Sequence, residues 1–195
     1  MPTFDRLARE ILRLALIAVA YWIAARLSLS LAVVHGQVTP VWPPSGIALV
    51  AFLVIGRRVW PAIALGAFAV NLPIGPSLVG AAVIAAGNTL APFAAAELLR
   101  RVDFHRELDR LRDALAIIAA ALGGMMISAT IGSSVLVLSA SVLATNFWST
   151  WAVWWTGDAM GVLLVAPLLL SLRILAPTRS LYREQGRGIQ WRPGL

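Results

Sequence analysis

LALIAVAYWIAARLSLSLAVV, residues 14–34, is the stretch on which the fold turns. It follows a basic start with Arg6, Arg9 and Arg13, and its only charge is Arg26. A cleavable leader carries an apolar run of roughly 7 to 15 residues. A helix that crosses a hydrocarbon core of about 30 Å needs about 20. The run is of that length and reads as a first transmembrane helix.

The composition extends this reading to the whole chain. Of 195 residues, 59% are hydrophobic and 13% charged, with a mean hydropathy of +0.82. A soluble domain averages about 25% charged residues, too many for this chain to match. The expected fold is all-α, a polytopic integral membrane helix bundle in contact with the lipid bilayer. All 16 basic residues are arginine and the net charge is +7. The Arg and Ala bias is that of a GC-rich bacterial genome, a codon argument and not a physical one. The arginines are dispersed between apolar segments without an aromatic–basic surface, which argues against a nucleic-acid partner. Cysteine is absent, which excludes a disulfide, a thiol nucleophile and a thiolate metal site. His35 and His105 lie far apart in the chain. No metal spacing, phosphate loop or nucleophile–base pair occurs, so no catalytic residue, metal or cofactor is expected.

Six apolar segments follow one another: 14–34, 45–56, 59–72, 78–99, 114–138 and 150–172. The second and third are short and flank Arg57-Arg58, so a re-entrant hairpin is the alternative to two crossings. The connections 35–44, 73–77 and 139–149 hold no Arg, Lys, Asp or Glu, whereas the other connections carry nearly all the charge. The positive-inside rule then predicts about six transmembrane helices with both termini cytoplasmic. Residues 1–172 form the transmembrane domain. Residues 173–195 form a basic juxtamembrane tail, or the start of a linker to an output domain in a longer chain. The charged stretch 101–113 reads as a helical extension into segment five.

Three ionisable residues fall inside apolar runs: Arg26, Glu97 and Asp158. A charge at mid-membrane costs about 3 kcal/mol on insertion scales. Glu97 can pair with its neighbours Arg100 and Arg101. Arg26 and Asp158 each lie about eight residues from an outer helix end, or ~12 Å at helical rise. They are expected to form an intramembrane ion pair or to share a polar pocket in the outer half of the bundle, the alternative being that each is satisfied separately by a backbone carbonyl or water. Asn88, mid-segment, reads as interhelical glue or a ligand contact. Gly124, Ser128 and Gly132, spaced by four, and Gly157 with Gly161 are small residues of the kind that lets helices approach closely.

The stretch Val41-Trp-Pro-Pro-Ser-Gly-Ile-Ala-Leu-Val50 places its worst helix formers at the mouth of an apolar helix. Proline is tolerated at a helix start. The free N–H groups beyond it form either a site for an anionic or polar group or a rigid interfacial turn anchored by Trp42.

Three blocks give this chain its resemblance to a known family. They are Val41-Trp-Pro-Pro-Ser-Gly-Ile-Ala-Leu49 with Gly56-Arg-Arg-Val-Trp-Pro61, Gly66 and Asn71-Leu72; Gly87-Asn-Thr-Leu90 with Leu98-Leu-Arg-Arg101; and Trp151 to Pro167 around Trp154-Trp-Thr-Gly-Asp158. Together they resemble the membrane-associated sensor (MASE) family, type one. The resemblance implies a sensory input domain of the bacterial inner membrane, itself not an enzyme. It implies an unknown small ligand, a cytoplasmic histidine kinase or GGDEF output domain, and a homodimer. Carried over, the ligand-binding set is Trp42, Pro43, Pro44, Gly46, Asn71, Asn88, Thr89, Trp155 and Asp158. Trp42, Asn71 and Trp155 are placed near the outer face, and Asn88 and Asp158 deeper. The chain departs from the family in offering six crossings where about eight are usual, and in Ala91-Pro92, which stands where a Glu-containing continuation is expected and should kink segment four. A small-molecule-binding subunit of an uptake transporter and a plain membrane anchor are the competing readings.

Overall fold

A computed structural model describes residues 2–30 and 40–175, with side chains between residues 6 and 172 of these. Seven α-helices follow in order: α1 (Pro2–Leu29), α2 (Pro43–Ile55), α3 (Trp60–Asn71), α4 (Leu78–Arg101), α5 (Leu111–Gly124), α6 (Met126–Leu138) and α7 (Phe147–Leu175). No strand occurs among the described residues. The end of the first apolar run, His35 and the tail beyond residue 175 lie outside the described residues.

Four stretches are long and apolar enough to cross a membrane: Arg6–Leu29, Leu78–Arg101, Leu111–Leu138 and Ala144–Leu172. The segment expected at 114–138 is two helices, α5 and α6, meeting at Met125. The segments expected at 45–56 and 59–72 become α2 and α3, of 13 and 12 residues. At helical rise these are about 20 and 18 Å long, short of a bilayer core of about 30 Å. Gly56 ends α2 with φ of 101°, a conformation open to glycine, and a 3₁₀ turn over Arg57–Val59 leads into α3. Pro92 lies inside α4, which continues to Arg101.

The predicted helical extension over 101–113 is corrected. Residues 102–110 form turns, with Asp103 and Leu108 at φ of 53° and 54°, and α5 begins only at Leu111. Local hydrogen bonds outcompete the helix here. The Asp113 carboxylate accepts the His105 backbone N–H at 3.0 Å, and the Arg112 guanidinium donates to the Val102 carbonyl.

Large apolar side chains cover the outside of the bundle. Leu7, Ile11, Leu16, Val19, Ile23 and Leu27 of α1 are all exposed. The interior is built largely from small residues, among them Ala25, Ala48, Ala91, Ala95, Ala120, Ala121 and Ala166. This is the inverse of a soluble core and fits lipid as the solvent, where close backbone approach holds helices together. α2 packs against α7, α4 and α1; α3 against α1 and α4; and α6 lies between α4 and α7. At the Arg57 end a charged clasp joins α2, α3 and α4. Arg57 donates to both Glu97 oxygens at 3.1 and 2.6 Å. Arg100 donates to Glu97 and to the Phe52 carbonyl near the end of α2.

α2 meets α7 most closely at Gly161, where an added Cβ would overlap the Trp42 carbonyl. Gly161→Ala should therefore lower stability by about 1–3 kcal/mol through overpacking. Gly123→Ala, where an added Cβ meets nothing within 4 Å, should be neutral or stabilising by up to about 1 kcal/mol. Unfolding of both variants in detergent micelles, followed by circular dichroism, checks the pair.

Candidate functional site

The puzzle of Pro43-Pro44 is resolved by where α2 starts. Trp42, its N-cap residue, donates its backbone N–H to the Gly157 carbonyl of α7 at 2.8 Å. Gly157 is ten residues into α7, about 15 Å from the helix start. α2 thus begins inside the bundle, with Pro44, Ser45 and Gly46 buried. A helix start leaves its first N–H groups without intrahelical partners, and in a water-poor interior each one is costly. Two prolines remove two of those donors outright. The next N–H, of Ser45, bonds the Trp42 carbonyl at 3.1 Å. Trp42, expected near the outer face, lies level with Gly157 and Asp158 of α7. The expected free N–H site is corrected, because its donors are absent or satisfied.

Ser45 presents its hydroxyl instead. Its Oγ–H donates to Asp158 Oδ1 at 2.6 Å. From the other side the Ser128 hydroxyl of α6 donates to Asp158 Oδ2. The Trp154 indole, one turn earlier on α7, also contacts the carboxyl. The Tyr21 hydroxyl of α1 faces the Trp42 side chain and Asp158, and among the described residues no hydrogen bond of full geometry reaches it. Asp158 is 1% exposed. Side chains of α1, α2, α6 and α7 therefore converge on one carboxyl group.

The expected Arg26–Asp158 ion pair is not formed. Arg26 is exposed on α1, and the ion pairs among the described residues are Arg13–Glu10, Arg57–Glu97 and Arg100–Glu97. Similar depth did not mean the same side of the helix: Tyr21, Ala25 and Ser28 face inward, and Arg26 turns out.

The nine-residue ligand set is not one cluster. Trp42, Pro43, Pro44 and Gly46 surround the α2 start beside Asp158, whereas Asn71, Thr89 and Trp155 direct their hydrogen bonds elsewhere. Asn71 Nδ2 donates to its own helix at Ala67 O, 2.8 Å, and Thr89 Oγ1 to Ala85 O, 2.7 Å. An i−4 carbonyl is the nearest acceptor for a short polar side chain in a helix. Trp155 Nε1 donates to Leu122 O at 2.7 Å, and its ring stacks on Trp151 at 5.7 Å. Asn88 is 4% exposed, and its Oδ1 has no partner among the described residues. Of the small residues, Gly124 lies against Ala95 and Ala91, Gly132 against the Trp154 ring and Gly161 against Trp42; Gly157 accepts the Trp42 N–H.

Reading the residues missed Ser45 as a partner of Asp158 and Tyr21 as its neighbour, and assigned Ser128 to helix packing alone. A signal was present for two of them: a phenol in an otherwise apolar run and a serine inside the Pro-Pro-Ser-Gly block. Chemically, two hydroxyl donors on one buried carboxyl can hold a proton, a cation or a polar group in place. Among the described residues no group of His, Cys, Asp and Glu suited to a metal occurs, and no histidine hydrogen bond reaches Ser45 or Ser128.

Fold and site together define a membrane helix bundle organised around a buried carboxyl. The MASE1 family model matches residues 13–185, and the chain belongs to that family of membrane-associated sensor domains. It is a membrane sensory domain. Comparison with curated proteins finds no match, and comparison with solved structures finds none.

If Asp158 acts with Ser128 and not with Arg26, the two pairs should separate in double-mutant cycles. Asp158→Asn and Arg26→Gln should be additive within about 0.5 kcal/mol. Asp158→Asn and Ser128→Ala should couple by about 1–2 kcal/mol. Detergent unfolding of the two cycles reads both values.

Proposed function

We propose that this domain is the signal-input unit of a bacterial inner-membrane receptor. In this reading it passes the membrane six times with both termini cytoplasmic, and a small ligand perturbs the Asp158 knot. α7 relays the change to a cytoplasmic histidine kinase or GGDEF domain in a longer, homodimeric chain. One observation carries the reading: Asp158 lies on α7 and is tied by Ser45 and Ser128 to α2 and α6. α7 leads from that knot toward the C-terminal side. A ligand that competes for either serine changes how α7 is held, and it shifts the equilibrium by its differential affinity for the two arrangements.

Two measurements test the proposal. The chain has no cysteine, so single cysteines report topology cleanly. In intact cells Ser77→Cys and Ser141→Cys should react with a membrane-impermeant maleimide, and Arg58→Cys and Arg106→Cys only after lysis; the reverse pattern overturns the orientation. In the full-length gene product, Ser45→Ala and Asp158→Asn should each shift basal output by about 5- to 30-fold, the equivalent of one lost buried hydrogen bond of about 1–2 kcal/mol. Trp148→Ala, on the exposed start of α7, should leave output unchanged. Output indifferent to both site variants would leave a membrane anchor. Saturable uptake of a solute in place of signalling would favour the transporter subunit.

A further inference from the structure

α3 is too short to fill the space beside α4, and a lateral groove of about 540 Å³ opens between them. Its walls are Trp60, Pro61 and Phe68 from α3 and Ala82, Ala86 and Leu90 from α4. The alanines hollow one wall and the rings rim the other. The one hydroxyl in the groove, of Thr89, is already given to Ala85 O at 2.7 Å. The walls therefore offer an occupant only apolar contact.

Charge is concentrated where the groove begins. Trp60, 57% exposed, follows the turn that carries Arg57 and Arg58. Arg57 and Arg100 share Glu97. Arg58 is exposed and takes part in no ion pair among the described residues. Arg57, Arg58, Arg100 and Arg101 with the connection to Asp113 give seven arginines against five carboxylates, Glu97 included, leaving a positive surplus beside an apolar slot. An exposed indole at this position is typical of the head-group level of a bilayer.

We propose that this groove binds an anionic phospholipid, with an acyl chain lying between α3 and α4 and the phosphate held by Arg58. An anionic head group attached to an apolar chain matches both halves of the site. A second copy of this chain matches less well, since a symmetric contact would bring the same arginine surplus onto itself.

The test is native mass spectrometry of the protein released from nanodiscs of phosphatidylglycerol mixed with phosphatidylethanolamine. One phosphatidylglycerol should be retained per chain, preferred by about fivefold over phosphatidylethanolamine at equal mole fraction, the effect of one arginine at the membrane surface. Arg58→Gln should abolish the preference. Ala86→Phe should reduce retention of both lipids with helix content unchanged by circular dichroism. Equal retention of the two lipids by the unmodified protein, or an Arg58→Gln variant that keeps the preference, overturns the proposal. So does an Ala86→Phe variant that changes oligomeric mass and leaves lipid retention intact, which would assign the groove to a protein partner. If Ala86→Phe does not fold, Arg58→Gln decides alone, because the Arg58 side chain is exposed and forms no ion pair among the described residues.

Discussion

A carboxyl group in the middle of a membrane bundle has no water to turn to, and the shape of this domain follows from how that demand is met. Asp158 takes hydroxyl donors from α2 and α6. To bring Ser45 there, α2 must start inside the bundle and not at its rim. A buried helix start creates its own demand, because its leading N–H groups need partners. Pro43 and Pro44 remove two of them, and Ser45 closes the next onto Trp42. The Trp42 carbonyl then lies so close to α7 that only glycine fits at 161. The carboxylate, the prolines and the glycine are parts of one solution.

Elsewhere the bundle relies on proximity. Ala91 and Ala95 of α4 receive α5 at Gly124, and Gly132 lets α6 close on the Trp154 ring. In lipid no hydrophobic force drives apolar helices together, so contact area and a few internal hydrogen bonds carry association. Many large side chains face outward here, while Leu49, Phe52, Ile63 and Met125 fill the interior between the small residues. The charged clasp of Arg57, Glu97 and Arg100 closes one end of the bundle, where α2, α3 and α4 meet.

The proposed signal-input role gives these features a common use. In that proposal a ligand selects between two arrangements by its differential affinity for them. A knot of short hydroxyl-to-carboxyl bonds suits that role better than a strong ion pair. Each bond is small enough to exchange and directional enough to fix a helix. The Tyr21 hydroxyl and Asn88 Oδ1, without a hydrogen bond among the described residues, are further polar atoms inside the bundle.

Much of the architecture was legible in the residues. Apolar runs of membrane length, sparse charge and arginine-free connections give an all-helical membrane bundle, because lipid forces each segment to satisfy its own backbone. Asp158 and the Pro-Pro-Ser-Gly block stood out for the same reason, being expensive to bury. What the linear order could not supply was partnership. Counting residues puts Arg26 and Asp158 at one depth, but Arg26 turns outward and Asp158 inward, so the count did not make a pair. Glu97 reached Arg57, forty positions away, as well as its neighbour Arg100. The depth of the α2 start, the choice of Ser45 and Ser128 for Asp158, and the groove beside the short α3 depend on helix rotation and offset. Those are decided only when side chains of distant segments compete for the same interior space.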